Sequence, residues 1–386
     1  MTGQKKNKRN QDCGWIQCEG SLEKEKWVSL LLEWFRKNHR WMPWREESTP
    51  YRRWISEIML QQTRVETVIP YFNRFINRFP TIESLADASE DEVLKMWEGL
   101  GYYSRARHVR QAAQVIMKEH GGFFPDSQQQ ALTLPGIGPY SSAAILSMAY
   151  GVPLPSVDGN VMRVFCRLTA WKENVLDPAT VKKVRTALQT IIPCDSPGSF
   201  NEALMELGAV VCVPLSPNCP SCPLTNSCHA FRFKLTHCLP VRIKKGRVVK
   251  HHYLVFWLNG SGEKSVAVRK NPPRGLLGGL WAFPMVEISR SKEYDPTEEG
   301  FSQEKQNQSV LEAEKQWGIT IDGVRYRQRL SHQFSHQHWT MDVVEASTVS
   351  LPDDFVWVNR EHLLQLAFPE AYQKVIRLME ERPASI

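Results

Sequence analysis

The sequence predicts two bodies of different class, a mostly α N-terminal part and an α+β C-terminal part. Two observations carry this. From Leu22 to about Phe233, apolar residues recur at helical spacing and no run alternates as a strand would. Beyond a stretch dense in Lys and Arg, short runs rich in Val, Phe and Trp give way to helical runs and return. A length of 386 residues accommodates two or three domains, and 42% hydrophobic content excludes a disordered chain.

Taken in order, residues 1–21 read as a flexible basic arm. The opening "MTGQKKNKRNQDCG" has no apolar run behind its cations, so no secretory signal is expected. Residues 22–233 follow as one helical region. "WVSLLLEWFRKNH", "SEDEVLKMWEGL" and "SRARHVRQAAQVIMKEHGG" are amphipathic, and several such runs end in Gly, a common helix terminator. The longest uncharged stretch, Ala131–Val157, contains Pro135, Pro139, Pro153 and Pro155. It reads as turns plus one short helix, not as a membrane span. Residues 234–250 form a basic linker and 251–386 the α+β domain. There, "HYLVFWLN" and "KSVAVRK" predict strands, "SVLEAEKQWG" a helix, and "FVWVNREHLLQLAF" a strand followed by a helix.

The net charge of +7 points to an anionic partner, nucleic acid first and an acidic membrane second. Nine cysteines without an export signal favour reduced thiols or metal ligands over disulfides. Four of them, Cys212, Cys219, Cys222 and Cys228, are spaced C-x6-C-x2-C-x5-C on a proline-rich loop. That arrangement encloses one metal centre, and the ligand set alone suits a structural zinc as well as an iron–sulfur cluster.

In "WISEIMLQQTRVETV" and the residue after it, Ile55, Ile58, Met59, Val65 and Ile69 recur at roughly the spacing of one helix face, with the lone acid Glu57 at its margin. In "LPGIGPYSSAAILSMAYG", Gly136 and Gly138 permit a tight turn and Pro139 suits the first turn of a helix. Outward amides there suit a phosphate, while the plainer reading is an ordinary helix–turn–helix connection. Asp158 in "PSVDGNVMRVFCRL" reads as a helix cap, or more sharply as a carboxylate set beside a substrate by Gly159 and Asn160.

The order of these pieces, with "GLGYYSRAR" between them, resembles the helix-hairpin-helix DNA glycosylases that carry a [4Fe–4S] cluster, and among them the adenine DNA glycosylases of the MutY type. The resemblance spans about Trp27–Cys228. It implies a six-helix barrel and a cluster-bearing helical domain, with Cys212, Cys219, Cys222 and Cys228 as cluster ligands. The substrate it implies is duplex DNA with adenine mispaired with 8-oxoguanine, the adenine being flipped out of the stack. Glu57 is then the acid that protonates adenine, Asp158 steadies the cationic sugar, and Asn160 orients the aspartate and water.

Tyr140 stands where the related bifunctional glycosylases of endonuclease III type carry a lysine nucleophile. A phenol forms no Schiff base, so the implied enzyme is monofunctional and leaves an abasic site. By the same resemblance Arg40, Trp44 and Arg45 line the adenine pocket and Glu202 bonds the base. Gln62 and Tyr102 wedge into the duplex beside the lesion.

The C-terminal "GLLGGLWAFP" resembles the opening of a Nudix-like domain. Lys315 and Gln316 stand where a metal-binding Glu pair is expected, so nucleotide hydrolysis is not expected. Phe334, Ser335 and His336 match the loop that reads 8-oxoguanine, with Ser335 as the hydrogen-bonding residue. A monomer in a bacterial cytoplasm, or in a nucleus if eukaryotic, is expected to hand its product to abasic-site repair proteins. The rivals are a bifunctional glycosylase/lyase, a Nudix pyrophosphatase and a non-catalytic DNA-binding module.

Overall fold

The computed structural model describes residues 21–243, 248–260, 264–291, 302–334, 336–351 and 353–381. All of the basic arm before Ser21, part of the linker and Ser335 lie outside them. The helices, in chain order, are α1 (Ser21–Asn38), α2 (Pro43–Glu46), α3 (Pro50–Leu60), α4 (Val65–Arg78), α5 (Ile82–Asp87), α6 (Glu90–Trp97), α7 (Ser104–Glu119) and α8 (Gln128–Ala131). They continue as α9 (Pro139–Tyr150), α10 (Gly159–Thr169), α11 (Pro178–Gln189), α12 (Pro197–Val210) and α13 (His229–Arg232). The strands are β1 (Val249–Asn259), β2 (Ser265–Lys270), β3 (Trp281–Ala282), β4 (Met285–Ser291), β5 (Asp322–Gln333), β6 (Gln337–Ser347) and β7 (Val356–Asn359). Among them fall α14 (Gln303–Trp317), α15 (Arg360–Leu363) and α16 (Glu370–Glu380). Among the described residues every strand therefore lies beyond the helical part. No helix there is long and apolar enough to cross a membrane.

Two compact units form, and they do not follow chain order. One gathers the described residues of Met1–Phe72 and Val115–Lys244, the other those of Asn73–Gln114 and Lys245–Ile386. In the first, α1, α10, α11 and α12 bury Leu31, Phe165, Val184, Phe200 and Leu204 in one core. Local chemistry sets the helix ends. Thr49 caps α3 by accepting from the Arg52 amide at 3.3 Å, with Pro50 starting the helix. The helical stretch expected from Trp54 to Val68 is in fact broken. Helix α3 ends at Leu60, and Gln62 turns the chain at φ 60° before α4 begins at Val65. A glutamine gives no sequence signal of a left-handed turn, which is why the apolar spacing carried the expectation across it.

In the second unit the sheet runs β3-β2-β1-β6-β5, with β4 on β1 and β7 on β2. Strands β1 and β6 are parallel, Leu254 facing Asp342 and Val255 facing Val343. Both faces of this pair are covered, as a parallel core requires. One packs Val255, Trp257, Val343 and Trp339 against Phe283, Phe368 and Tyr372, and the other packs Leu254, Phe256 and Val344 against Ala313 of α14.

Candidate active site

Glu57 sits in the last turns of α3 and is 6% exposed. Its neighbours Ile55, Ile58 and Met59 are buried with it. Burial pushes its carboxyl up to about 7; the Tyr140 hydrogen bond and Arg53 work against this, while Asp158 and Glu202 add to it. The Tyr140 hydroxyl donates to Glu57 Oε1 at 2.5 Å. Tyr140 is the second residue of α9, so the turn before that helix aims the phenol at α3. Burial, then the charges of Glu57 and Asp158, raise the phenol well above its ordinary range, so it remains a donor.

Asp158 does cap α10, accepting from the Val161 amide at 2.7 Å. Its other oxygen accepts from Asn160 Nδ2 at 2.9 Å. Burial raises its pKa and these donors pull it back. The cap and the site carboxylate are thus one residue, because Glu57, Tyr140, Asp158 and Asn160 all line one cleft of about 390 Å³. Asn160 is fixed twice more. Its Oδ1 accepts from Arg163 at 2.8 Å, and Gly208 of α12 lies so close that an added Cβ would come within 2.6 Å of the Asn160 Cβ.

Arg40, Trp44, Arg45 and Glu202 line the same cleft. Trp44 is buried edge-on against Phe72, ring centres 5.2 Å apart. Glu202 Oε1 accepts from Arg45 Nε at 2.8 Å and from Arg53 at 2.9 Å. Two further residues, Arg53 and Glu206, escaped the sequence reading. Glu206 accepts from Arg40 Nε at 2.7 Å, from the Arg40 amide at 3.0 Å and from Arg45 at 3.2 Å. Burial opposes its charge, but the Arg40 hydrogen bonds and the Arg45 charge prevail and hold its carboxyl below the usual range. The available signal was spacing: Arg53 and Glu57, like Glu202 and Glu206, are four apart and share a helix face.

The hairpin before α9 needs only one special glycine. Gly136 has φ 76°, whereas Gly138 is the extended N-cap of α9 at φ −98°, corrected from the expected role in the turn itself. A Cβ on Gly138 would meet nothing within 4 Å, so the space beside this residue is open. Gln62 is exposed, with φ 60°. In the other unit Tyr102 is 44% exposed and also left-handed, at φ 49°. Such a backbone is uncommon outside glycine and clusters at functional sites. Phe334 lies half-buried at the β5–β6 connection, where its amide donates to the Gln337 carbonyl at 2.8 Å, and His336 is exposed there.

Cys212, Cys219, Cys222 and Cys228 surround one small cavity. Arg167 is buried behind it, donating to the carbonyls of Val213 at 2.7 Å, Pro214 at 3.0 Å and Leu239 at 2.9 Å, and to Cys212 Sγ at 3.4 Å. Arg163 binds the Cys212 carbonyl at 2.7 Å while holding Asn160, which links this loop to the cleft. Burial and the neighbouring sulfurs push the Cys222 thiol up to about 11, so four thiolates here require a cationic centre. Among the described residues, no three His, Cys, Asp or Glu are placed to close on a single ion. The donor set, four cysteines around one cavity with an Arg167 N–H on one sulfur, suits a thiolate-held metal centre.

A profile for the HhH-GPD superfamily of base excision DNA repair proteins matches residues 55–194, and a NUDIX domain profile matches 254–378. The adenine DNA glycosylase of Buchnera aphidicola (from Acyrthosiphon pisum) is 32% identical, the match covering 90% of this chain and 95% of that protein. That of Mus musculus is 31% identical over 92% of this chain and 78% of its own. Among solved structures, a thermostable thymine-DNA glycosylase superposes with a TM-score of 0.50 at 26% identity, covering 55% of this chain and 98% of that one. With a helical base-excision domain, a Nudix-like sheet domain and such relatives across nearly its whole length, the chain belongs to the adenine DNA glycosylases of the MutY type.

Proposed function

We propose that this glycosylase excises adenine paired with 8-oxoguanine, and also adenine paired with guanine, without cutting the strand. The observation that carries the chemistry is the pairing of Glu57, raised to about 7, with Asp158 across one cleft. Near neutral pH a large share of Glu57 keeps a proton, as a general acid must. That proton passes to a ring nitrogen of the flipped adenine. The C1′–N9 bond then breaks with its electron pair leaving on the base. Asp158, held by Val161 and Asn160, faces the positive charge that develops on the sugar. Water forms the new C1′–O bond and returns its proton to a carboxylate, with Asn160 orienting both. Tyr140 offers no amine, so no Schiff base forms and the product is an intact abasic strand.

The remaining roles follow the same reading. Arg40, Trp44, Arg45 and Glu202 receive the base. The amides about Gly136 and Gly138 grip a phosphate of the duplex. Gln62 and Tyr102 enter the stack, and Phe334, Ser335 and His336 read the 8-oxoguanine. Cys212, Cys219, Cys222 and Cys228 hold a [4Fe–4S] cluster, which when bound ties the loop covalently and takes no part in hydrolysis. The protein acts as a monomer, with the domains at 22–233 and 251–386, and passes its product to abasic-site repair proteins. The test is a single-turnover assay on a duplex with one adenine opposite 8-oxoguanine, scored with and without hot alkali. Breaks that appear only after alkali are expected. Breaks without alkali would overturn the monofunctional reading, and no breaks at all would overturn the substrate.

A further inference from the structure

The exposed, left-handed Tyr102 is not free-standing. It ends a turn in which Gly99 and Gly101 also have positive φ, 96° and 71°. Arg105 is buried behind it, its guanidinium 5.5 Å from the Tyr102 ring and 5.4 Å from the Trp97 ring. It donates to the carbonyls of Leu100 at 3.2 Å and Gly101 at 3.0 Å. The other side of the turn is held by a segment far away in sequence. The Gly99 amide donates to the Tyr103 hydroxyl at 3.1 Å, and that hydroxyl donates to the Phe368 carbonyl at 3.4 Å. The Phe368 amide donates to Glu98 Oε1 at 3.0 Å. Glu98 and Tyr103 thus flank the turn and take both backbone groups of one residue of the C-terminal domain.

Phe368 in turn is anchored in the core under the sheet. Its ring stacks on Phe283 at 5.2 Å, Phe283 meets Tyr372 edge-on at 5.8 Å, Tyr372 meets Trp339 edge-on at 6.5 Å, and Trp339 meets Phe334 at 4.8 Å. One packed run of rings therefore joins the Phe334 loop to the Tyr102 turn. Close-packed aromatic interiors transmit displacement instead of absorbing it. We propose that Glu98 and Tyr103 are positioning residues through which the C-terminal domain holds the Tyr102 turn in register with the Phe334 loop, so that reading the lesion and opening the stack beside it act as one rigid caliper. This rests on the reading of Tyr102 as the wedge and Phe334 as part of the lesion-reading loop.

The test uses the full chain and a duplex in which 8-oxoguanine faces 2′-fluoro-2′-deoxyadenosine, with 2-aminopurine beside the 8-oxoguanine to report unstacking. The Glu98→Ala/Tyr103→Phe double variant is expected to give less than about half the wild-type fluorescence rise. On the cleavable duplex it is expected to slow excision roughly tenfold, as loss of these three hydrogen bonds allows. Glu98→Gln retains the acceptor oxygen and restores both. Wild-type fluorescence in the double variant overturns the proposal. So does an equal loss in Glu98→Gln accompanied by a lowered melting temperature, which marks a merely structural contact. Tyr102→Ala is run alongside: if it leaves the fluorescence rise intact, the wedge reading itself has failed, a result separable from failure of the brace.

Discussion

Replacing Glu57 by glutamine should abolish excision and, above neutral pH, make the protein more stable. The carboxyl rises from an ordinary 4.5 to about 7 in the fold, chiefly through burial. Between those values the unfolded chain ionises at this position and the folded chain does not. The folded state therefore binds more protons, and stability falls as pH rises from about 4.5 through about 7. At about 1.36 kcal/mol per unit, the penalty above pH 7 is about 3 kcal/mol. Glutamine is neutral at every pH and keeps an oxygen to accept from Tyr140. Thermal melts of wild type and Glu57→Gln from pH 5 to 8 measure the effect. The variant should gain roughly 6–12 °C over wild type at pH 8, at 2–4 °C per kcal/mol, and only about 2–3 °C at pH 5. A variant that is less stable at pH 8, or whose advantage does not depend on pH, would refute a carboxyl held protonated by burial.

Other perturbations test the neighbours of this group. Tyr140→Phe removes the hydrogen bond that lowers the Glu57 pKa, so the alkaline limb of a single-turnover pH–rate profile should move to higher pH. Glu206→Ala takes the buried carboxylate from Arg40 and leaves Arg45 with Glu202 alone; because Arg40 keeps some solvent, a loss of about 3 kcal/mol is expected in urea unfolding, the low end for a broken buried pair. Gly208→Ala drives a methyl into Asn160, so excision should fall at least about tenfold in a single-turnover assay while Glu57→Gln-like stabilisation is absent. Cys222→Ser should lose both iron and its visible absorption, and the 212–228 loop should become open to protease.

How much of this was legible depends on the range over which each feature is encoded. Helices α7, α9 and α14 and strands β1 and β2 lie where periodicity and turn residues put them, because caps such as Gly151 and Gly318 are local. Glu57, Tyr140 and Asp158 were legible as a motif set in order, and the fold brings them to one cleft. Glu206 was not, since its partner Arg40 lies 166 positions away and an acid in an apolar helix does not name its cation. The break at Gln62 was not, because its left-handed backbone is imposed by the junction of two helices and not by the residue. Nor was the joining of Glu98 to Phe368, 270 positions apart, which places helices α5 and α6 in the same compact unit as the sheet.

The division of labour between the two carboxyls has its origin in the backbone. Glu57 lies inside α3, where the nearby amides are already committed to helical hydrogen bonds, so its carboxyl has only side chains to turn to. Asp158 stands one residue before α10, where the first amides of the helix have no carbonyl to bind and the partial positive charge of the helix end favours an anion. Burial lifts both groups, yet only Asp158 receives a backbone donor at 2.7 Å to hold it back. Moving the aspartate one turn into its helix would remove that donor, and the pair would then be two raised carboxyls competing for one proton instead of an acid and an anion. Acid and counter-charge are thus assigned by position along a helix, interior against cap, before any substrate arrives.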